Sequence, residues 1–184
     1  MVYILLAAAV LLVFLVWGFN SFARMRNVVR NAWADIDVQL KRRSDLVPNL
    51  VETTKGYSGF ERTVLEEVTA ARTKAADSAL APPARASADA ALAGRIAQIT
   101  AVAESYPELK ASAQYIRLQD ELSHTENQLA SARQYYNAAV RDLNTMLETF
   151  PLGVLGRSFG FTKAEFFSVD DAHEREAPSA EMKP

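Results

Sequence analysis

The chain has 184 residues, a formal net charge of −2, no cysteine, and hydrophobic residues at 49% of its positions. The near-neutral charge gives no reason to expect nucleic acid as a partner, and the lack of cysteine excludes disulfides, thiolate metal sites and cysteine nucleophiles. Alanine is abundant in the middle of the chain, and glycine and proline number 7 each. This composition favours helices over sheets, so we predict an all-α fold.

The N-terminal segment, residues 2–19, is a run of 18 uncharged residues. At about 1.5 Å per residue, it is just long enough to cross a hydrocarbon core of about 30 Å. A cleaved signal peptide is the alternative, but no positive n-region precedes the run and no A-x-A site lies between Phe14 and Phe22. We therefore predict a retained transmembrane anchor over residues 1–22.

The orientation of this anchor follows from its flanks. Arg24, Arg26 and Arg30 come directly after the apolar run, before the first acidic residue, Asp35. The positive-inside rule then places the N-terminus outside and the body in the cytoplasm. A periplasmic body is the alternative, because a short N-terminal tail carries a weak signal.

Three helices are predicted between the anchor and the middle of the chain. The first continues from the anchor to about Lys55, with apolar residues at alternating steps of three and four, and Gly56 ends it. A capping box, Ser58-x-x-Glu61, opens the second helix, which stops before a loop at Pro82-Pro83. An alanine-rich third helix covers residues 84–103.

A last helix is predicted over residues 107–149, after a second capping box at Ser105-x-x-Glu108. Short connections make neighbouring helices antiparallel, so residues 23–150 are predicted to form an antiparallel four-helix bundle continuous with the transmembrane helix. The two short helices would cover only the half far from the membrane. The other half would be a stalk with an exposed apolar stripe, which favours self-association. Its candidate subunit contacts are Trp33, Ile36 and Leu40.

Residues 151–168 form a segment rich in phenylalanine and glycine, which the order of the helices returns to the membrane end. It either plugs the open end of the bundle, contacts the bilayer surface or contacts a neighbouring subunit. The phenylalanines that we predict to make these membrane or subunit contacts are Phe150, Phe159, Phe161, Phe166 and Phe167. The acidic tail, residues 169–184, is predicted to be disordered.

Charged residues also occupy positions with apolar spacing in the long helices. On the first helix Arg43 lies between Leu40 and Val47, and on the last helix Glu126 and Arg133 continue the spacing of Leu122 and Leu129. A buried arginine needs a partner, so we hypothesise an Arg43–Glu126 pair that sets the register of the helices. The predicted network is completed by Asp45, Asn49, Arg133 and Asn137. The alternative is that these charges reach solvent at the edge of the bundle.

Pro48 lies inside the first predicted helix. It removes one backbone hydrogen bond and costs about 3 kcal/mol unless the loss is compensated. We therefore predict a kink near residues 44–47.

The sequence offers little chemistry. Glu121-x-x-His124 has the spacing of a di-iron ligand motif, but such sites need two of these motifs and two further glutamates, and the other histidine is His173 in the tail. No nucleophile–base pair is recognisable. We therefore predict no metal, no cofactor and no enzymatic activity.

Several sequence blocks stand out together: Asn31 to Arg43 (NAWADIDVQLKRR), Asp45 to Thr53 (DLVPNLVET), LEEVTAAR from Leu65, LQDELSHTEN from Leu118, RQYYN from Arg133, Phe150-Pro, and Phe159-Gly-Phe. Together these blocks resemble the LemA family of bacterial membrane proteins. The resemblance covers about residues 20–168. It implies a LemA-like antiparallel helical bundle, tethered to a bacterial inner membrane and without enzyme activity.

The sequence thus predicts a membrane-anchored, self-associating helical scaffold that organises or remodels the inner membrane. Its expected partners are the lipid bilayer and further copies of itself. The alternative is a tethered adaptor that recruits an unidentified cytoplasmic protein through the acidic tail or the alanine-rich third helix.

Overall fold

The structure is a computed structural model that describes residues 1–56 and 62–168. Within these residues there are helices, turns and coil but no strand. The predicted capping box Ser58-x-x-Glu61 and the tail 169–184 lie outside them. The helices are α1 (Val2–Lys55), α2 (Arg62–Ala75), α3 (Pro82–Ala103), α4 (Pro107–Lys110), α5 (Ala113–Glu148) and α6 (Leu152–Ser158).

Helix α1 runs without interruption from the apolar N-terminal segment to Lys55, with Gly56 at its C-cap. It is the one described helix long and apolar enough to cross a membrane, and its apolar segment is almost wholly exposed in the isolated chain. Helix α5 lies antiparallel to α1, because Trp33 contacts Tyr136 while Arg43 contacts Glu126. This long pair is the axis of the molecule.

Two apolar cores lie along that axis. The distal core joins the last turns of α1 to α2, α3, α4 and the start of α5, and includes Leu50, Val68, Leu92 and Ile99. The proximal core joins residues 22–40 of α1 to the second half of α5. The pairing of the two long helices and the distal position of the short ones therefore agree with the prediction made from the order and lengths of the helices.

Two predicted boundaries were wrong, both at prolines. Pro82 and Pro83 are not a loop but the first turn of α3, where backbone N–H groups have no helical acceptor and proline is tolerated. The last helix does not begin at Pro107: a one-turn helix, α4, has Tyr106 and not Ser105 at its N-cap position and ends at Lys110, and α5 starts at Ala113.

The predicted exposed stalk was also wrong. Ile36 and Leu40 are buried, and Trp33 is half-buried against Tyr136 and Phe167 of the same chain. The cover is the C-terminal segment after α5, which folds back along the long pair. These three residues therefore make contacts within the chain, because the segment that was expected to stay at the membrane end continues along the stalk.

Candidate functional site

Helix α6 is held against α1 where the apolar run ends. A Cβ atom added at Gly18 of α1 would collide with the Leu155 side chain, and one added at Gly156 of α6 would lie 2.6 Å from Phe22 Cζ. Glycine at both positions therefore permits the two helices to approach closely. This contact places α6 at the level where α1 would leave a bilayer.

The outer face of α6 and its flanks is apolar. Phe150 is 83% exposed and Val154 is 55% exposed, and Phe159 and Phe19 are exposed beside each other with their rings in edge contact. We call Trp17, Phe19, Phe150, Val154 and Phe159 the apolar collar. Such a patch next to an apolar helix is typical of residues that lie in the membrane interface.

Residues 161–168, which we call the strap, run from α6 along the groove between α1 and α5. Phe161 stacks on Phe22 with ring centroids 5.2 Å apart, and Phe167 lies 5.9 Å from Trp33. The strap therefore runs in the same direction as α1, away from the collar. Burying its two phenylalanines contributes about 1.5–3 kcal/mol each.

Two asparagines of α5 bind the backbone of the strap. The Asn144 side chain accepts from the Ala164 N–H at 2.9 Å and donates to its carbonyl at 3.0 Å, and Asn137 pairs with Phe167 in the same way at 2.9 and 3.1 Å. Seven helical residues rise about 10 Å, and three extended residues span about 10 Å. The spacing of the asparagines therefore fits an extended strap. Their side chains supply the hydrogen bonds that a neighbouring β-strand would otherwise give to the backbone of Ala164 and Phe167.

Tyr136 adds a third tie between α5 and the strap. Its hydroxyl donates to the Glu165 carbonyl at 2.8 Å. Burial, reinforced by the nearby Glu165 carboxylate, raises the pKa of Tyr136 above its usual value. The hydroxyl therefore keeps its proton, and with it the tie to the strap, at neutral pH.

The predicted contact residues thus divide into two groups. Phe161 and Phe167 are buried by the strap's own packing and are not available to lipid or to a neighbour. Phe150, Phe159 and Phe166 are exposed. The segment after Phe150 thus folds back along the groove between α1 and α5 and does not only plug the open end of the bundle. The collar leaves an outward apolar surface, and its contact with the bilayer or with a neighbouring subunit stays a prediction.

A charge cluster lies between α1, α3 and α5, at the junction of the two cores. Arg43 donates to Asp89 at 2.8 Å, with both side chains 2% exposed. Arg43 also contacts Glu126, and Arg133 contacts the other carboxylate oxygen of Asp89. Two guanidinium groups and two carboxylates therefore balance each other in a site where Arg43 and Asp89 are buried and Arg133 and Glu126 reach solvent.

Three residues of the predicted network are elsewhere. Asp45 and Asn49 are exposed on α1, and Asn137 binds the strap. Asp89, which joins both arginines, was missed. A signal for it exists, because the spacing of Leu92, Ile96 and Ile99 on α3, extended backwards by alternating steps of three and four, reaches Asp89 and then Arg85.

Helix α1 continues through Pro48 as a single helix. Proline has no N–H, so the carbonyl four residues earlier, that of Ser44, loses its helical donor. Arg72 of α2 replaces it, with its Nε donating to the Ser44 carbonyl at 2.8 Å. The position of the proline is therefore also a docking point between α1 and α2.

Within residues 1–56 and 62–168, no three histidine, aspartate or glutamate side chains are placed to hold a metal ion. The geometry that stands out is the collar, the strap and the charge cluster.

Comparison with known proteins relates residues 32–181 to a family model described as the LemA family. Magnetosome protein MamQ 2 of Paramagnetospirillum magneticum is 23% identical over 197 residues, which cover 94% of this chain and 72% of that protein. Magnetosome protein MamQ of Magnetospirillum gryphiswaldense is 22% identical, covering 89% and 67%. Protein LemA of Metamycoplasma hominis is 21% identical, covering 89% and 75%. None of these names is that of an enzyme. With the long apolar helix, they indicate a membrane-associated helical protein.

Proposed function

This chain belongs to the LemA family, and we propose that it acts as a non-enzymatic, membrane-anchored helical scaffold that self-associates and organises or remodels the inner membrane. The observation that carries this proposal is the apolar collar. Exposed aromatic and aliphatic side chains, led by Phe150 and Val154, are fixed beside the end of the apolar run by the contact between Gly18 and Leu155.

The collar provides a means of bending a bilayer. The spanning helix fills both leaflets, while α6 would lie in the headgroup region of one leaflet only, as interfacial apolar helices do. Added volume in one leaflet favours curvature, and more so where several copies gather. The four helices α1, α2, α3 and α5 would form the bundle that holds α6 in place.

We propose that the body is cytoplasmic, with the N-terminus outside. Arg24, Arg26 and Arg30 lie beyond the collar on α1, and all three are exposed. The Arg26 guanidinium lies over the Phe161 ring, 5.1 Å from its centroid. A basic belt directly above an apolar collar suits the anionic inner leaflet.

The test is reconstitution of the full-length protein in liposomes that contain anionic lipid, followed by cryo-electron microscopy. We expect changed vesicle shape with the wild type and loss of that effect when Phe150 and Val154 are both replaced by serine. The matched control is Ile116→Ser, which removes an exposed apolar side chain, 48% exposed, at the far end of α5. Unchanged vesicles with the wild type, or equal loss with the control, would contradict the remodelling role.

Self-association needs its own measurement. Chemical crosslinking in cells and light scattering in mild detergent are expected to show oligomers of the full-length protein. A monomer in both assays would remove self-association from the proposal and leave an anchor whose collar acts alone.

An adaptor role is the second candidate, and one observation favours it. Helix α3 packs on α2 and presents to solvent an outer face of small residues: Ala90, Ala91, Gly94, Ala97 and Ala101. A small-residue face permits close approach of a partner helix. Affinity capture with the full-length protein separates the two functions, because an adaptor retains a stoichiometric partner that Ala97→Glu releases, whereas a scaffold retains mainly itself.

A further inference from the structure

A second polar site lies apart from the charge cluster, in a cleft of about 370 Å³ between α1, α2 and the start of α3. Its charged lining consists of Lys41, Arg72 and Arg85 against Asp37 and Asp45. Three cationic side chains therefore face two carboxylates. Ser44 and Ser78 complete the polar lining.

Arg85 is the unusual member of this cleft. It is 5% exposed, yet its Nε and Nη1 have no hydrogen-bond acceptor among the described residues. Its Nη2 lies 3.0 Å from Asp37 Oδ1, but that oxygen also lacks a hydrogen bond, so the ion pair is poorly aligned. A buried guanidinium with unsatisfied donors is costly unless an acceptor reaches it.

We infer that this cleft binds an oxyanion, a carboxylate or phosphate group, which accepts from the Arg85 donors and lies near the Lys41 ammonium. Arg72 contributes charge while its Nε stays on the Ser44 carbonyl. The Asp37 and Asp45 carboxylates repel an anion. We therefore expect binding only of an oxyanion that contacts the Arg85 guanidinium directly. Lys41 stands about 33 Å along α1 from Phe19, so lipid headgroups are out of reach.

Two sources have this chemistry. One is a soluble oxyanion. The other is the chain's own acidic tail, because the strap that precedes it ends beside Trp33 and runs in the same direction as α1, on which Lys41 follows Trp33. From Trp33 to Lys41 helix α1 rises about 12 Å.

The test is calorimetric titration of the full-length protein in detergent with inorganic phosphate, at constant ionic strength set by chloride. We expect saturable binding of phosphate, weakened about fivefold by Lys41→Gln, as for the loss of one partly exposed charge interaction. Arg42→Gln is the matched control, because Arg42 is the exposed neighbour that does not line the cleft. It should leave the affinity unchanged. Arg85→Gln should abolish binding, and the Lys41 and Arg42 pair decides the matter if that variant fails to fold.

A second arm uses the full chain with Asp170→Asn, Asp171→Asn, Glu174→Gln and Glu176→Gln. Phosphate binding that becomes about tenfold tighter in this variant identifies the tail as the natural occupant. Equal affinity in both proteins identifies a soluble oxyanion. Absence of phosphate binding in both, or equal effects of Lys41→Gln and Arg42→Gln, would overturn the inference.

Discussion

Replacing Asp89 with asparagine tests the buried charge cluster most directly, because Asp89 is contacted by two guanidinium groups at once. The substitution keeps the volume and removes the charge. Arg43, at 2% exposure, would then keep only Glu126, whose side chain is 51% exposed. Removing one partner of a buried ion pair costs about 3–5 kcal/mol. At about 2–4 °C per kcal/mol for a chain of this size, the midpoint of thermal unfolding should fall by about 10 °C.

The assay is unfolding of the full-length protein in detergent, followed by circular dichroism at the helix band. Glu126→Gln is the control, and because Glu126 is half-exposed we expect it to cost at most about 1 kcal/mol. The paired change Arg43→Met with Asp89→Leu should recover most of the lost stability, since no uncompensated charge stays buried. A loss below about 1 kcal/mol for Asp89→Asn, or one no larger than that of Glu126→Gln, would refute the reasoning. If Arg43→Met alone raised the midpoint and left assembly unchanged, the cluster would have no role in register.

Three further predictions concern other contacts. Arg72→Met should lower the free energy of unfolding by about 1–3 kcal/mol, because it leaves the Ser44 carbonyl without a donor. Pro48→Ala restores the backbone N–H, so it should add more stability in that variant than in the wild type. A double-mutant cycle by chemical unfolding measures the difference. Gly153→Ala should cost about 1–3 kcal/mol, since its Cβ would collide with a backbone carbonyl, whereas Gly94→Ala, which meets nothing within 4 Å, should stabilise by about 0.5–1 kcal/mol in the same unfolding assay. The pKa of Tyr136 is raised from 10.0 in the folded protein, so its contribution to stability is complete below pH 10 and is lost as pH rises through the pKa of the folded state. Tyr136→Phe should therefore reduce the fall of the unfolding midpoint at alkaline pH.

Periodicity was sufficient to predict the long pair of helices, because an apolar step of three or four is a local property of one helix. It was equally able to select Arg43 and Glu126, whose positions interrupt an apolar stripe. The same test applied to α3 would have reached Asp89. Alanine there makes the stripe faint, and no role was assigned from the sequence to the charged positions of α3.

The strap was not predictable in the same way. Its contacts join Asn144 and Asn137 to backbone groups 20 and 30 residues further along the chain, and an amide side chain does not reveal from the sequence which backbone it will bind. Asn137 was accordingly assigned to the charge network. The open stalk was predicted because the two short helices reach only half of the long pair, and the segment that covers the other half has no regular structure for a periodic pattern to indicate.

The prolines show a similar limit. Pro48 lies within a helix, and Pro82 and Pro83 begin one. A proline in the sequence shows that one backbone N–H is missing. Whether a helix can contain that proline depends on whether a carbonyl would otherwise have accepted from that N–H. Arg72, from a different helix, supplied it in the first case, and the position in the first turn made it unnecessary in the second.

The uninterrupted length of α1 gives the molecule the mechanics of a lever. Residues 20–55 extend about 54 Å beyond the apolar run. A tilt of about 20°, common for single spanning helices, would move the far end sideways by about 18 Å. Helix α6 contacts α1 on one side, at the level where α1 would leave the bilayer. A local change in bilayer thickness would therefore tilt α1 in a fixed direction. A small change in the lipid would then displace the distal core by a large distance.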